Sequence, residues 1–244
     1  MTPAITLSNL TCVHERRPAL HHVSGCFAPG SLTAVVGPNG AGKTNLLRAI
    51  AGLHAAQEGQ VDRGGLKPAG IALLPQAGSL DRSFPVSCRD VVAMGAWRRI
   101  GAFGGFGNPA PVMDALRAVG LAGFERRLVG TLSAGQFQRL LFARLMLQDA
   151  PVLLLDEPFT SVDARTTADL LGIIRGWHAQ GRSVVAVLHD LDLVQQEFPQ
   201  TLLLARELVA WGPTGQALSA ENRLRARLAA EAWAEAPALC QDAA

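Results

Sequence analysis

What the chain has little of narrows it first. Its 244 residues carry a formal net charge of only +2, with 22 Lys and Arg against 20 Asp and Glu. The two signs are mixed along the sequence, so there is no large basic field for a nucleic acid and no polybasic segment for a lipid surface. The four cysteines, Cys12, Cys26, Cys88 and Cys240, are scattered and form no C-x-x-C pair. That leaves neither a disulfide framework nor a cysteine metal site, and a reduced, cytosolic chain with ordinary thiols is expected. Hydrophobic residues reach 49%, yet no uninterrupted apolar run approaches the ~18–20 residues of a membrane-spanning helix. Met1-Thr2-Pro3-Ala4-Ile5 shows no basic segment followed by an apolar one, so no signal peptide is expected. The apolar bias points instead to a surface covered by a partner. Internal repeats and coiled-coil heptads are lacking as well, and the length suits one α/β domain with a sizeable core.

What is present begins with Gly37-Pro38-Asn39-Gly40-Ala41-Gly42-Lys43-Thr44, which fits the phosphate-binding pattern G-x-x-x-x-G-K-[ST]. An apolar, β-branched run, Leu32-Thr33-Ala34-Val35-Val36, precedes it as a buried strand. Leu46, Leu47, Ile50 and Leu53 follow at helical spacing, with Gly52 as a stop. Strand, glycine loop and helix are the context the motif requires. The glycines let backbone N–H groups turn inward around a polyphosphate at the positive end of a helix. Lys43 adds a point charge for the β and γ phosphates, and the Thr44 hydroxyl is placed to ligate Mg²⁺. A nucleoside triphosphate is the expected ligand.

The remaining chain supplies further signals in order. Ile5, Leu7 and Leu10 open a strand, and Val23, Cys26 and Phe27 another, around an expected polar turn over residues 13–20. His14, His21 and His22 match no metal-ligand spacing and read as solvated or capping residues. Residues 61–70 read as a Gly-rich, hairpin-like connection. Ile71-Ala72-Leu73-Leu74 is a buried strand ending at Pro75-Gln76, where Gln76 is either a surface residue or an amide reaching Mg²⁺ or an attacking water. Residues 88–94, 112–119 and 124–129 read as helical, and 101–107 as a glycine-rich connection. The block 83–147 therefore interrupts the βα pattern as a helical subdomain. Within it, Leu132-Ser133-Ala134-Gly135-Gln136 starts a helix whose free N–H groups form either an ordinary capped end or a second anion site. Pro151-Val152-Leu153-Leu154-Leu155-Asp156-Glu157 is a central strand with two carboxylates at its carboxyl end, where ligand sites of open α/β sheets lie. Asp156 suits Mg²⁺, and Glu157 suits polarising the water that attacks a γ-phosphate. Asp163 reads as a helix N-cap. His189 follows the strand 184–188, where it either touches the γ-phosphate or is a satisfied core histidine. Residues 202–204 and 208–211 read as a hairpin, 218–233 as a helix and 237–244 as a frayed tail.

Taken together these stretches resemble the ATP-binding-cassette (ABC) ATPases over residues 4–215. Residues 37–44 match Walker A, Gln76 the Q-loop and residues 132–136 the signature. Residues 152–157 match Walker B, 161–163 the D-loop and His189 the switch histidine. The resemblance implies a RecA-like P-loop nucleotide-binding domain with an N-terminal antiparallel β subdomain and an inserted α-helical subdomain. Residues 216–244 would form a peripheral helix and tail. It further implies two copies paired head to tail around two ATP molecules. In that pair Gly37, Pro38, Asn39, Gly40, Ala41, Gly42, Lys43, Thr44 and His14 bind ATP in one copy. Ser133, Gly135, Gln136 and Asp163 complete the site in the pair. Glu157, His189, Gln76 and Lys43 take the catalytic roles, and Thr44, Gln76 and Asp156 the Mg²⁺. Two departures stand out. Ala134 replaces the usual glycine of the signature. The aromatic that stacks on adenine, commonly tyrosine, aligns with His14 in a chain with no tyrosine.

Finer similarity concerns the cargo. Pro75-Gln76, Asp81-Arg82-Ser83-Phe84-Pro85-Val86 and Arg89-Asp90-Val91-Val92-Ala93-Met94-Gly95 resemble ATPases of zinc and manganese importers, and residues 97–104 a zinc-importer branch. The resemblance thus implies membrane permease subunits, an extracytoplasmic metal-binding protein and a peripheral place on the cytoplasmic face of the membrane. Phe84, Pro85, Val86 and Asp90 would meet the permease. Zinc is the expected cargo; manganese, siderophore and haem systems share much of the pattern. A soluble cassette ATPase acting on DNA or ribosomes remains a rival, but residues 45–131 are too few for the long arm such proteins carry. An unrelated P-loop kinase or GTPase is opposed by the ordered signature and switch histidine.

Overall fold

The computed structural model describes residues 2–14, 17–97 and 108–235. Two sheets share the work of holding the P-loop. The smaller is antiparallel, of order β2-β1-β4, built from β1 (Ile5–His14), β2 (Arg17–Phe27) and β4 (Glu58–Asp62). The larger runs β5-β6-β7-β3-β8-β9. Its members are β3 (Leu32–Val36), β5 (Ile71–Leu74), β6 (Val152–Asp156), β7 (Ser183–Val187), β8 (Gln200–Ala205) and β9 (Glu207–Pro213). Only β9 is antiparallel to its neighbour. All five residues of β3, β6 and β7 are buried, as expected for parallel strands covered on both faces.

Alternation along these strands divides the core. Leu153 and Leu155 of β6 join Ala34 and Val36 of β3 in one apolar cluster, while Val152 and Leu154 join Val35 in the other. The first cluster lies against helices α2 (Cys88–Met94), α3 (Ala110–Ala118), α4 (Ala134–Gln148) and α5 (Ala164–Ala179). The second lies against the small sheet and α1 (Lys43–Ile50). Each fully buried leucine or valine contributes about 1.5–3 kcal/mol relative to exposure. The register then sets the site: Val35, Val187 and Asp156 stand in one row across β3, β7 and β6. The residues just beyond that row, at the carboxyl ends of the strands, emerge side by side.

Several elements differ from expectation, each for a visible reason. The polar turn over 13–20 shrinks, because His14 pairs with Arg17 and Val13 with Pro18 in the β1–β2 ladder. Residues 58–62, including part of the expected connection, form β4, held by pairing with the edge of β1. Residues 124–128 are not helical, and Val129 only opens a short 3-10 turn, Val129–Thr131. The amides of Cys88 and Arg89 bond to the carbonyls of Arg127 and Glu125 at 2.9 and 3.0 Å, and Leu128 bridges Ser87. The last helical stretch is broken after α7 (Thr214–Ala217) and resumes as α8 (Ala220–Glu235). Between β7 and β8 lies α6 (Leu191–Glu197), capped by Asp190. The expected glycine-rich stretch 101–107 and the tail 237–244 fall outside the described residues.

Candidate functional site

The P-loop is packed too tightly at two glycines for any side chain. At Gly42, φ is +88° and a Cβ would lie 2.0 Å from the Ala19 carbonyl; at Gly37 it would lie 1.9 Å from the Leu204 carbonyl. Gly42→Ala is therefore expected to cost at least about 2 kcal/mol from backbone strain and overlap. A fall of roughly 4–8 °C in the melting midpoint should follow for a domain of this size; an unchanged midpoint would show that the loop yields freely. From behind, the Arg206 amide donates to the Ala41 carbonyl at 3.0 Å.

Lys43 is almost fully buried and its Nζ donates to the carbonyls of Gly37 and Pro38, at 2.8 and 2.9 Å. Burial draws its pKa down, against the opposing charges of Glu157 and Asp156. Next to it, the Thr44 hydroxyl donates to Asp156 Oδ1 at 3.2 Å. Burial pushes the Asp156 carboxyl above its ordinary range, and the nearby Glu157 adds to the rise. The Thr44 hydrogen bond and the charges of Arg48 and Lys43 pull the other way. A hydroxyl and a carboxylate held together, with negative charge incompletely compensated, are the hard-oxygen donor set that suits Mg²⁺.

Glu157 is where the scattered signals converge. Its Oε2 accepts from Gln76 Nε2 at 2.9 Å and from the Thr160 hydroxyl at 3.1 Å, and its Oε1 lies 2.8 Å from His189 Nε2. Burial works to raise its pKa. The hydrogen bonds from His189 and Thr160, with the charges of His189 and Lys43, outweigh that and hold the carboxyl below its usual range. Its backbone sits at φ +50°, a left-handed conformation that a non-glycine residue adopts at some cost and that clusters at functional sites. Gln76, expected near both water and metal, is thus brought to Glu157.

The signature residues are organised elsewhere. Ser133 caps α4: its Oγ accepts from the Gln136 amide at 3.2 Å, while Gln136 Oε1 accepts from the Ser133 amide at 3.1 Å. This reciprocal box satisfies two amides and leaves those of Ala134 and Gly135 without intrahelical acceptors. Among the described residues no hydrogen bond joins this turn to residues 37–44. Asp163 caps α5 through the Thr166 amide at 2.8 Å. His14 ends β1, and its side chain lies outside the described residues. His21 and His22 meet Glu207 and Asn9 at 3.1 and 2.7 Å. Among the described residues no group of three His, Cys, Asp or Glu is placed to hold a metal ion.

Thr160 and Arg206 belong to none of the sequence motifs: Thr160 reaches Glu157 across a three-residue turn, and the Arg206 amide backs the P-loop from a distant part of the chain. A cleft of about 570 Å³ opens beside Glu157 and His189 and runs between α5 and α6 to Arg175 and Glu197. Those two form an ion pair at its far end.

The family profile described as ABC transporter matches residues 20–160. The manganese transport system ATP-binding protein MntB of Listeria monocytogenes serovar 1/2a is 35% identical over 223 residues, 88% of this chain and 92% of that protein. MntB of Bacillus subtilis is 35% identical over 224 residues, covering 89% and 90%. The zinc transport system ATP-binding protein TroB of Treponema pallidum is 34% identical over 230 residues, covering 91% and 86%. Among solved structures, an ABC transporter in an inward-facing conformation superposes with a TM-score of 0.80 at 28% identity, over 91% of this chain and 88% of that one. The ADP conformation of an ATP-binding cassette gives 0.78 at 20% identity, over 92% and 98%, a likeness of fold.

Proposed function

The chain belongs to the ABC transporter family as an ATPase, and from that premise we propose that it powers a divalent-metal importer as a head-to-tail pair of copies. The observation that carries the catalytic part is the convergence of Gln76, Thr160 and His189 on the Glu157 carboxylate, beside Lys43. Glu157 polarises the attacking water, His189 and Gln76 orient that carboxylate, and Lys43 with residues 37–42 holds the triphosphate. Thr44 and Asp156 would hold Mg²⁺, which supplies charge neutralisation on the phosphate oxygens when bound. Ser133, Gly135 and Gln136 act on the nucleotide of the other copy, as the open amides of the α4 first turn favour an anion. Asp163 is assigned to the same junction, and His14 to adenine stacking by its place in the family pattern.

Among the described residues no helix is long and apolar enough to cross a membrane. In the proposed importer, transport rests on permease subunits, with this chain peripheral on their cytoplasmic side and a metal-binding protein on the far side. Phe84, 70% exposed beside Pro85, is the residue proposed to meet the permease. Asp90, proposed for the same contact, is exposed in the first turn of α2, where its carboxylate accepts from the hydroxyl of the capping Ser87 at 2.6 Å.

Two cargo readings have separate support. Manganese is favoured by the names of MntB relatives; zinc by the resemblance of residues 97–104 to a zinc-importer branch and by TroB. Uptake of radiolabelled Mn²⁺ and Zn²⁺ by cells with and without the gene decides between them. Loss of only one uptake activity assigns the cargo, whereas loss of neither overturns the divalent-metal reading.

A further inference from the structure

The segment leaving Gln76 ends on an arginine whose contacts serve neither the P-loop nor the exposed Phe84 surface. Arg82 Nη2 donates to the carbonyl of Leu132 and, at 3.5 Å, to that of Val129. Its guanidinium carbon lies 4.8 Å from the centre of the Phe137 ring. The Arg82 carbonyl would lie 3.0 Å from a Cβ added at Gly130. Immediately downstream, the Val129 amide donates to the Val86 carbonyl at 3.0 Å, and Ser87 bridges Leu128. The path from the Q-loop is thus laced to the approach to the signature. The arginine is not there for its own satisfaction, since its Nε is buried without a hydrogen-bond partner, a cost that an apolar side chain stacked on Phe137 would avoid.

The carbonyl it grips identifies the purpose. Leu132 precedes the capping Ser133, and the peptide joining them carries the Leu132 carbonyl at one end and the Ser133 amide at the other. Arg82 holds the carbonyl, and Gln136 Oε1 holds the amide at 3.1 Å. Gripped at both ends, that peptide plane cannot rotate. The direction of Ser133 Oγ and the open amides of Ala134 and Gly135 follows from it. The loop bearing Arg82 starts at Gln76, which donates to Glu157 at 2.9 Å. One short segment therefore touches the candidate catalytic carboxylate of its own copy and orients the helix end offered to the other.

We propose that Arg82 is a positioning residue: it fixes the Leu132–Ser133 peptide so that the first turn of α4 engages the nucleotide of a second copy. This rests on the paired-copy reading above. The guanidinium lies over the Phe137 ring while its Nη2 bonds two carbonyls; an ammonium could bond the carbonyls but has no flat face for the ring.

The test uses the full chain with Arg82→Ala and Arg82→Lys, alone and in a Glu157→Gln background. Equilibrium ATP binding to the P-loop is expected to stay within about twofold, while kcat falls on the order of tenfold to a hundredfold for a misplaced group. Arg82→Lys should fall between wild type and Arg82→Ala. ATP-driven dimerisation, followed by light scattering, should be strong in Glu157→Gln and weakened in the double variants. An unchanged kcat for Arg82→Ala overturns the proposal. So does a parallel loss of binding, kcat and melting midpoint, which marks a merely structural role. If Glu157→Gln dimerises and the double variants do so equally well, the Arg82 assignment alone fails. If Glu157→Gln stays monomeric with ATP, the paired-copy reading fails and takes this proposal with it.

Discussion

Glu157→Gln is expected to bind ATP as tightly as the parent chain while its steady-state hydrolysis falls on the order of a hundredfold to a thousandfold. The amide keeps the shape of the side chain and an oxygen for the Gln76 and Thr160 donors, now at 2.9 and 3.1 Å. It also has an N–H to offer the His189 ring nitrogen, so the surroundings need not rearrange. What it loses is the charge. The native carboxyl is held below its usual range, with burial overcome by His189, Thr160 and Lys43, so it is ionised at neutral pH and has a lone pair free for a proton of the attacking water, though it is no stronger a base for the shift. A carboxamide cannot accept that proton. Because the P-loop contacts are untouched, the loss should appear in kcat, and the ATP-loaded protein should accumulate as a dimer. Steady-state turnover with equilibrium nucleotide binding checks both halves. Near-normal turnover would remove Glu157 from the central role and leave the Gln76–Glu157–His189 cluster as a structural knot.

Why that cluster was readable in advance, and its neighbours were not, follows from what sequence encodes. Val152, Leu153, Leu154 and Leu155 form an unbroken apolar run because β6 is covered on both faces, and the carboxylates after it stand where the register ends. Gly37, Gly42 and Lys43 were legible because backbone crowding and a buried cation admit few residue types. By contrast, β4 is Glu-Gly-Gln-Val-Asp and mostly exposed, so its strand state comes from the edge of β1 rather than from its own pattern. Residues 124–128 carry apolar positions at helical spacing but are drawn out by pairing with 87–89. Thr160 is a common residue type that reaches Glu157 through a local turn only three residues long, and Arg82 is one whose importance lies in what tertiary packing brings to it. Arg82 stood in a stretch informative only as a family marker, and its grip on Leu132, 50 residues away, is visible only in the fold.

Lys43→Ala should separate cleanly from the Glu157 variant, because it removes binding rather than turnover. In the folded chain Nζ is enclosed by the Gly37 and Pro38 carbonyls at 2.8 and 2.9 Å, and Glu157 and Asp156 lend it their charge. Hydrogen bonds involving a charged group contribute about 1.5–3 kcal/mol each, and Nζ is the one cation the loop itself supplies to the β and γ phosphates. Its loss is expected to weaken ATP binding on the order of a hundredfold, about 2.8 kcal/mol. Adenosine, lacking phosphates, should bind this variant and the parent alike. Lys43→Arg should not restore the site: a planar fork is wider than the ammonium it replaces, and the loop has no slack at Gly37 and Gly42, where even a Cβ would overlap the Leu204 and Ala19 carbonyls. Titration of ATP, ADP and adenosine against both variants gives the answer. A loss graded with phosphate number assigns Lys43 to the polyphosphate, whereas an equal loss for all three would mean that the loop had collapsed. Unchanged ATP affinity would overturn the P-loop assignment itself, and with it the reading of Thr44 and Asp156 as the Mg²⁺ pair at the same phosphates.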